Sequence, residues 1–346
     1  MSGSNIQNPT IPKGSLILVT GANGFIGSHV ADKFLEAGYK VRGTVRDPKK
    51  QSWLTGFFNS KYGDGSFSLV PVADMAAEGA FDEAVKGVSA VAHVASVVTF
   101  DPDPNKVIPP VIAGTLNAIK AAAKEPMVKS FVLTSSSTAA VMPVPNKEMT
   151  VTADSWNDEA VAAAWAPPPY DPIRGIYTYS ASKTQGEQEL WKWVKENKPS
   201  FVVNTVLPNA NFGRVLDPKN QGFPSTGNWP VLVFKGELDM IRHFPPQWYV
   251  DVEDSALLHV AAVLRPDVKN ERLFAFGEPY SVSSILAAFR KMFPDHKFAE
   301  DVPGEGRDIS KIVPRERANT ILKEMGKKEG FSSLEEGLKK NVEPLL

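Results

Sequence analysis

Apolar positions along this chain fall into two alternating rhythms. Ser15-Leu16-Ile17-Leu18-Val19 is a short aliphatic run of the kind that forms a parallel strand buried on both faces. Over residues 27–37 the apolar Val30, Ala31, Phe34 and Leu35 recur at helical spacing, and Gly38 supplies the stop. The same alternation predicts strands over 39–46, 67–72, 90–95 and 131–135, a helix over 78–86 closed by Gly87, and a longer helix over 111–124. Strands separated by helices in this way predict an α/β fold, an open parallel sheet with helices on both faces. Ligands of such sheets bind beyond the carboxyl ends of the strands. Chemistry is therefore expected just after strands one, two, four and five.

Farther along, the pattern loosens. Residues 164–172 hold four prolines in nine positions, a helix is predicted over 179–195, and a strand over 201–207. Residues 209–247 are rich in Gly, Pro, Asn and aromatics, which predicts irregular structure with a few short elements. Regular patterning returns over 248–264 and 272–277, then in helices over 282–293 and 334–342. The expected organisation is a nucleotide-binding unit over 14–210, rejoined by 248–277, with a smaller interleaved substrate lobe from 211–247 and 278–346.

Composition narrows the chemistry. With 346 residues, 42% apolar and 22% charged, the chain can bury a large core and is not a disordered type. A net charge of -1 gives no global field to draw nucleic acid or an anionic membrane. The absence of cysteine removes disulfides, thiol nucleophiles and Cys-ligated zinc. No two of His29, His93, His243, His259 and His296 have the i, i+4 spacing of a helical zinc site, so no metal is expected. Residues 1–13 are polar without an apolar signal region, and no run reaches the roughly 18 apolar residues of a membrane span. This predicts a loose N-terminal arm on a cytoplasmic enzyme.

Gly21, Gly24 and Gly27 form G-x-x-G-x-x-G within Thr20-Gly21-Ala22-Asn23-Gly24-Phe25-Ile26-Gly27, directly after strand one and opening a helix. Glycines so placed tighten the turn, let the backbone approach a pyrophosphate and let helix and strand pack closely, the Rossmann arrangement. The end of strand two then selects the dinucleotide. Arg46 stands where an arginine meets a 2'-phosphate, with Lys50 near it and Arg42 on the same strand face farther from the tip. This favours NADPH (NADP+). Asp47, one residue on, offers the competing reading of a carboxylate on a ribose diol, and Arg46 also reads as a solvated surface charge.

Tyr179-Ser180-Ala181-Ser182-Lys183 sets a phenol and an ammonium four residues apart, on one face of a helix. An ammonium at that spacing stabilises a phenolate, so Tyr179 can protonate a carbonyl oxygen while Lys183 holds a cofactor ribose. Strand five ends in Thr134-Ser135-Ser136, where a hydroxyl projects into the crevice. Ser136 can steady a developing oxyanion, or it can simply cap the next turn.

TGANGFIG, the strand-two arginine, HVAS at 93–96, TSSS at 134–137 and YSASK at 179–183 resemble the extended short-chain dehydrogenase/reductase family over nearly the whole chain. The likeness is nearest to its yeast NADPH-dependent aldehyde and ketone (carbonyl) reductases and plant dihydroflavonol reductase-like members. It extends to GTLNAIKAA at 114–122, VLPN at 206–209 and FPPQWYV at 244–250. The resemblance implies Ser136, Tyr179 and Lys183 as catalytic residues. It also implies cofactor contacts from Asn23, Phe25, Ile26, Asp74, Met75, His93, Val94, Ala95, Ser96, Thr134, Pro208 and Asn209. Without it, Asp74 reads as a loop acid, His93 as a core histidine and Pro208 as a strand end. Val98 and Phe100, just past strand four, are expected as a substrate wall, with Gln247 also on the substrate side.

The same triad serves nucleotide-sugar epimerases and dehydratases, and larger-substrate reductases of the cinnamoyl-CoA type. The aromatics of 211–249, with scattered Arg214, Lys219, Lys235 and Arg242, favour an apolar or aromatic carbonyl compound over a diphosphate. A non-catalytic NADPH-binding sensor is the reading from another class, and the complete Ser-Tyr-Lys set argues against it. No G-x-S-x-G elbow or G-x-x-x-x-G-K-[ST] loop points to a hydrolase or kinase. The expected partner is a small-molecule carbonyl substrate, with a homodimer open.

Overall fold

A computed structural model describes residues 6–346. In chain order the first elements are β1 (Leu16–Val19), α1 (Phe25–Glu36), β2 (Lys40–Val45), α2 (Ser52–Tyr62), β3 (Phe67–Pro71), β4 (Ala90–His93), α3 (Pro104–Lys124) and β5 (Ser130–Thr134). There follow β6 (Thr150–Val151), α4 (Asp158–Ala164), α5 (Arg174–Asn197), β7 (Val202–Pro208), β8 (Ala210–Phe212), α6 (Pro218–Gln221) and α7 (Trp229–Lys235). The chain closes with β9 (Gln247–Asp251), α8 (Val252–Leu264), β10 (Arg272–Ala275), β11 (Glu278–Tyr280), α9 (Val282–Met292), β12 (Lys311–Ile312), α10 (Arg315–Glu324) and α11 (Leu334–Val342).

Seven strands form one parallel sheet in the order β3-β2-β1-β4-β5-β7-β10. Their near-continuous apolar runs are explained by burial on both faces, since Val30, Phe34, Leu258 and Leu322 cover one side and Phe81, Ala118, Ile119 and Leu190 the other. Strand order reverses between β1 and β4, which opens a crevice beyond their carboxyl ends. This is the expected Rossmann sheet.

A second, three-stranded sheet, β11-β9-β8, packs with α7, α9 and α11 around Phe212, Phe234, Tyr249 and Phe289. Residues 209–247 are thus short elements, β8, α6 and α7, between irregular stretches. The chain re-enters the large sheet through β10, with α8 against it, while β9 stays in the small sheet.

Several sequence expectations change. Residues 78–86 form successive turns rather than a helix, with Asp82 N–H bonding Gly79 and Val88 N–H bonding Val85 at 3.0 and 3.2 Å. The Arg42 guanidinium takes the carbonyls of Ala84 and Lys86 at 2.9 and 2.7 Å, tying this segment to β2. Helix α3 begins at Pro104, capped by Asp103, and runs through Pro109 and Pro110; burial of Val107, Ile108 and Val111 offsets their missing N–H groups. Helix α5 starts at Arg174, before Tyr179, and α2 went unpredicted because its 52–62 pattern buries only Leu54 and Phe58.

The N-terminal arm is not loose over residues 6–13. Ile11 is fully buried, its carbonyl accepts the Tyr39 hydroxyl at 3.0 Å, and Thr10 N–H donates to Leu264 at 2.9 Å. Residues 1–5 of that expected arm lie outside the described residues. Among the described residues no helix is long and apolar enough to cross a membrane.

Candidate active site

The turn between β1 and α1 is built by close backbone approach. Gly21 has φ +64°, and a Cβ there would stand 3.1 Å from the Ala95 Cα; a Cβ on Gly27 would meet the Gly21 carbonyl at 2.2 Å. Larger residues would therefore part β1 from α1 and from the 94–96 segment. Gly24 opens α1 without a capping side chain, and the first turn carries no acid. That combination suits an anion, because the free N–H groups and the helix dipole both favour negative charge. The side chains of Phe25 and Ile26 point to the core, so only their backbone can serve a phosphate. The Asn23 carbonyl accepts the Gln221 amide at 3.3 Å, tying the α6 segment to this turn.

Two threonines absent from the expected set fix the turn. Thr44 Oγ1 accepts the Gly21 N–H at 3.1 Å, and Thr20 Oγ1 accepts from Val94 N and Ala95 N, both at 2.9 Å. Thr20 also pairs with His93 Nδ1 at 3.0 Å. His93 is a satisfied core histidine, packed against Phe81 and Phe131; burial, helped by the Lys183 charge, pulls it down to about 3. Its imidazole is committed to structure, while Ala95 stands against Gly21 and the Val94 and Ala95 N–H groups are held by Thr20.

At the end of β2, Arg46 and Lys50 are exposed. Asp47 turns back on its own loop, one carboxylate oxygen accepting Lys49 N and Lys50 N at 3.0 and 3.3 Å. Arg42 is occupied with the 84–86 carbonyls, away from the strand tip. Asp74 is an exposed loop acid bonded to Ala76 N, and the Met75 side chain packs where a Gly114 Cβ would come within 2.9 Å.

Helix α5 carries Tyr179 and Lys183 along the end of β5. The Lys183 ammonium is buried and donates to the Thr134 carbonyl at 3.4 Å; burial lowers it to about 8 against the opposing pull of Glu187. Thr134's hydroxyl pairs with buried His259 at 2.7 Å, so its side chain is spoken for. Ser136 does cap the following turn, its Oγ accepting Thr138 N at 3.2 Å and Thr138 Oγ1 at 3.0 Å. Accepting those two bonds does not use its own hydrogen, so the capping role does not exclude the oxyanion role.

Burial raises the Tyr179 phenol above its ordinary value, and a hydrogen bond with Ser136 works the other way. This departs from the expected acidic phenol, because desolvation outweighs any help from the ammonium one turn on. The ring of Phe100 packs on that of Tyr179 at 5.2 Å, and the Phe100 carbonyl sits 2.3 Å from where a Gly175 Cβ would lie. Val98 is 54% and Phe100 52% exposed, and Ile173, just before α5, is 77% exposed. Pro208 ends β7 and Asn209 follows it, its N–H reaching the Ala275 carbonyl at 3.3 Å. Gln247 opens β9, and its amide reaches the Pro245 carbonyl rather than the triad.

A model described as the NAD dependent epimerase/dehydratase family matches residues 17–272. Aldehyde reductase 2 of Sporidiobolus salmonicolor is 43% identical over 338 residues, 97% of each chain. Ketoreductase adrE of Penicillium rubens is 38% identical over 340 residues, 97% of this chain and 98% of its own. The solved structure of yeast methylglyoxal/isovaleraldehyde reductase Gre2 complexed with NADPH superposes with a TM-score of 0.80 at 23% identity, covering 96% of this chain and 98% of that one. At that identity the likeness is one of fold.

Proposed function

Because the chain belongs to the NAD dependent epimerase/dehydratase family, the extended short-chain dehydrogenase/reductases, we propose that it reduces aldehydes and ketones to alcohols with NADPH, Tyr179 being the proton donor. The observation that carries this reading is the meeting of Ser136, Tyr179 and Lys183 at the end of β5, alongside the uncapped glycine turn. Gly21, Asn23, Gly24, Phe25, Ile26 and Gly27 would hold the pyrophosphate through backbone groups. Arg46 and Lys50 would take the 2'-phosphate, since Asp47 spends its carboxylate on its own loop. Asp74 and Met75 would flank the adenine, and Val94 to Ser96, Pro208 and Asn209 the nicotinamide side.

Bound NADPH supplies hydride to the carbonyl carbon. A neutral Tyr179 gives its proton to the carbonyl oxygen as negative charge builds there, and Ser136 donates a hydrogen bond to the same oxygen. The buried Lys183 ammonium supplies positive charge beside the phenolate that remains. Val98 and Phe100 would form the apolar wall of the substrate site, with Gln247 also on the substrate side. Half-exposed apolar side chains beside the proton donor favour an apolar or aryl carbonyl compound over a nucleotide sugar.

Purified protein given NADPH and a carbonyl panel should consume NADPH, read at its near-ultraviolet absorbance. Turnover confined to UDP-sugars or CoA thioesters would move the assignment to the epimerase/dehydratase or larger-substrate reductase branches. Tight NADPH binding with no turnover across all panels would make it a sensor.

A further inference from the structure

Beneath the triad lies a buried ion pair that the proposed chemistry does not use. Glu187 is fully buried, one helical turn beyond Lys183 on α5. Its two oxygens accept the Ser135 hydroxyl at 2.6 Å from β5, the Thr205 hydroxyl at 2.7 Å from β7, and the Trp191 indole at 3.3 Å from its own helix. Arg272 of β10 completes the set with Nε at 2.8 Å and Nη2 at 3.3 Å. That guanidinium is itself held by the Ala153 and Ser155 carbonyls and lies 3.9 Å over the Trp156 ring.

A buried pair of this sort is seldom the cheapest way to hold a helix on a sheet, because desolvation cancels much of its attraction. Its location points to another use. Ser135 sits between Thr134, whose carbonyl receives Lys183, and Ser136, whose hydroxyl faces Tyr179. The carboxylate that grips Ser135 therefore fixes both strand-end groups that the triad leans on. The charged and titratable groups around Lys183 are Glu187 and Tyr179 on α5, His93 on β4, His259 reached through Thr134 from α8, and Arg272 behind Glu187. Of these, only Glu187 brings a negative charge to the buried ammonium.

We propose that Glu187 is a positioning residue: from beneath the sheet end it holds Ser135, and through it Ser136, in register with α5, and balances the charge of Lys183. The inference rests on the reductase reading for its catalytic meaning, but its electrostatic half is open to measurement without cofactor or substrate. Lysine labelled at Cε would be followed by NMR through a pH titration of the ligand-free full chain, with Lys183→Met locating the resonance. Glu187→Gln should lower the Lys183 midpoint by about one unit, and Glu187→Asp should restore most of it. An unmoved midpoint in a folded Glu187→Gln protein overturns the proposal, because a purely structural pair would cost stability and leave Lys183 alone.

If Glu187→Gln does not fold, Ser135→Ala carries the test, since it removes one hydroxyl and leaves the ion pair. It should lower kcat roughly tenfold with KM for cofactor little changed; a kcat within about two-fold of the parent overturns the proposal. A parent protein that turns over no carbonyl sinks the reductase reading and leaves the NMR result to decide this one.

Discussion

The ring of Phe100 lies 5.2 Å from the ring of Tyr179 and is tilted to it by 41°, while half of Phe100 stays open to solvent. One aromatic thus packs against Tyr179, the proposed proton donor, on one side and offers the other side to whatever enters. Packing of this kind is worth about 0.5–1.5 kcal/mol, so Phe100→Ala should cut kcat/KM for aryl aldehydes by about three- to tenfold. Short aliphatic aldehydes should be affected much less. Paired kinetics on the two substrate types check this, and equal losses on both would assign Phe100 to the proton donor alone.

Tyr179→Phe removes a hydroxyl and little volume. General-acid catalysis contributes about 10²–10⁴-fold, so kcat should fall within that range. NADPH affinity, measured by fluorescence or calorimetry, should stay within about three-fold, because Arg46, Lys50 and the glycine turn are untouched. Burial already keeps the phenol protonated at neutral pH. Lys183, lowered to about 8, then sets the alkaline limit, and activity should decline as pH rises through that value. A profile flat to about pH 10 would mean that the ammonium is dispensable.

Arg46 is exposed at the tip of β2, and Asp47 beside it is turned inward on Lys49 and Lys50. If Arg46 meets a 2'-phosphate, Arg46→Ala should raise KM for NADPH about 10- to 100-fold and leave KM for NADH unchanged. Parallel titrations with both dinucleotides decide it. Equal effects on both would turn the preference toward a ribose diol.

The parts of this architecture carried by local periodicity could be read from the sequence. The glycine turn sits at a strand-helix junction, and Tyr179 and Lys183 share a helix face by spacing alone. Glu187 continues that same spacing and could have been found by extending it. Its partners could not, since Thr205 and Arg272 are 18 and 85 residues away and only folding brings them together. Thr20 and Thr44 escaped for the same reason, as their roles are cross-strand bonds to Gly21, Val94 and Ala95. Residues 78–86 misled because Phe81, Ala84 and Val85 have helical spacing, while the contact that ties the segment down comes from Arg42 on a distant strand, which takes the Ala84 and Lys86 carbonyls. The start of α3 was hidden by Pro109 and Pro110, which local rules place outside a helix.

Three buried histidines predict how the fold responds to acid. His29 donates Nε2–H to the Arg214 carbonyl at 2.8 Å and leaves Nδ1 without a partner. His259 gives Nδ1–H to the Ser255 carbonyl at 2.7 Å, so its Nε2 accepts the Thr134 hydroxyl only while the ring is neutral. Burial holds His29 and His259 down to about 4 and His93 to about 3, against 6.5 for a free imidazole. Below about 6.5 the unfolded chain therefore binds protons that the fold refuses, and unfolding becomes easier as pH falls. The stability these rings supply is complete above that value and drains away toward their folded titration points. Asp251, raised to about 6 chiefly by burial, works the other way with a single proton. Three groups against one leave a net loss, on the order of 1–2 kcal/mol per histidine by about pH 5. Denaturant unfolding at about pH 7, 6 and 5 should show stability falling at each step, with the steeper drop at the acid end. A curve that is level or rises toward about pH 5 would mean that these rings take up protons inside the fold.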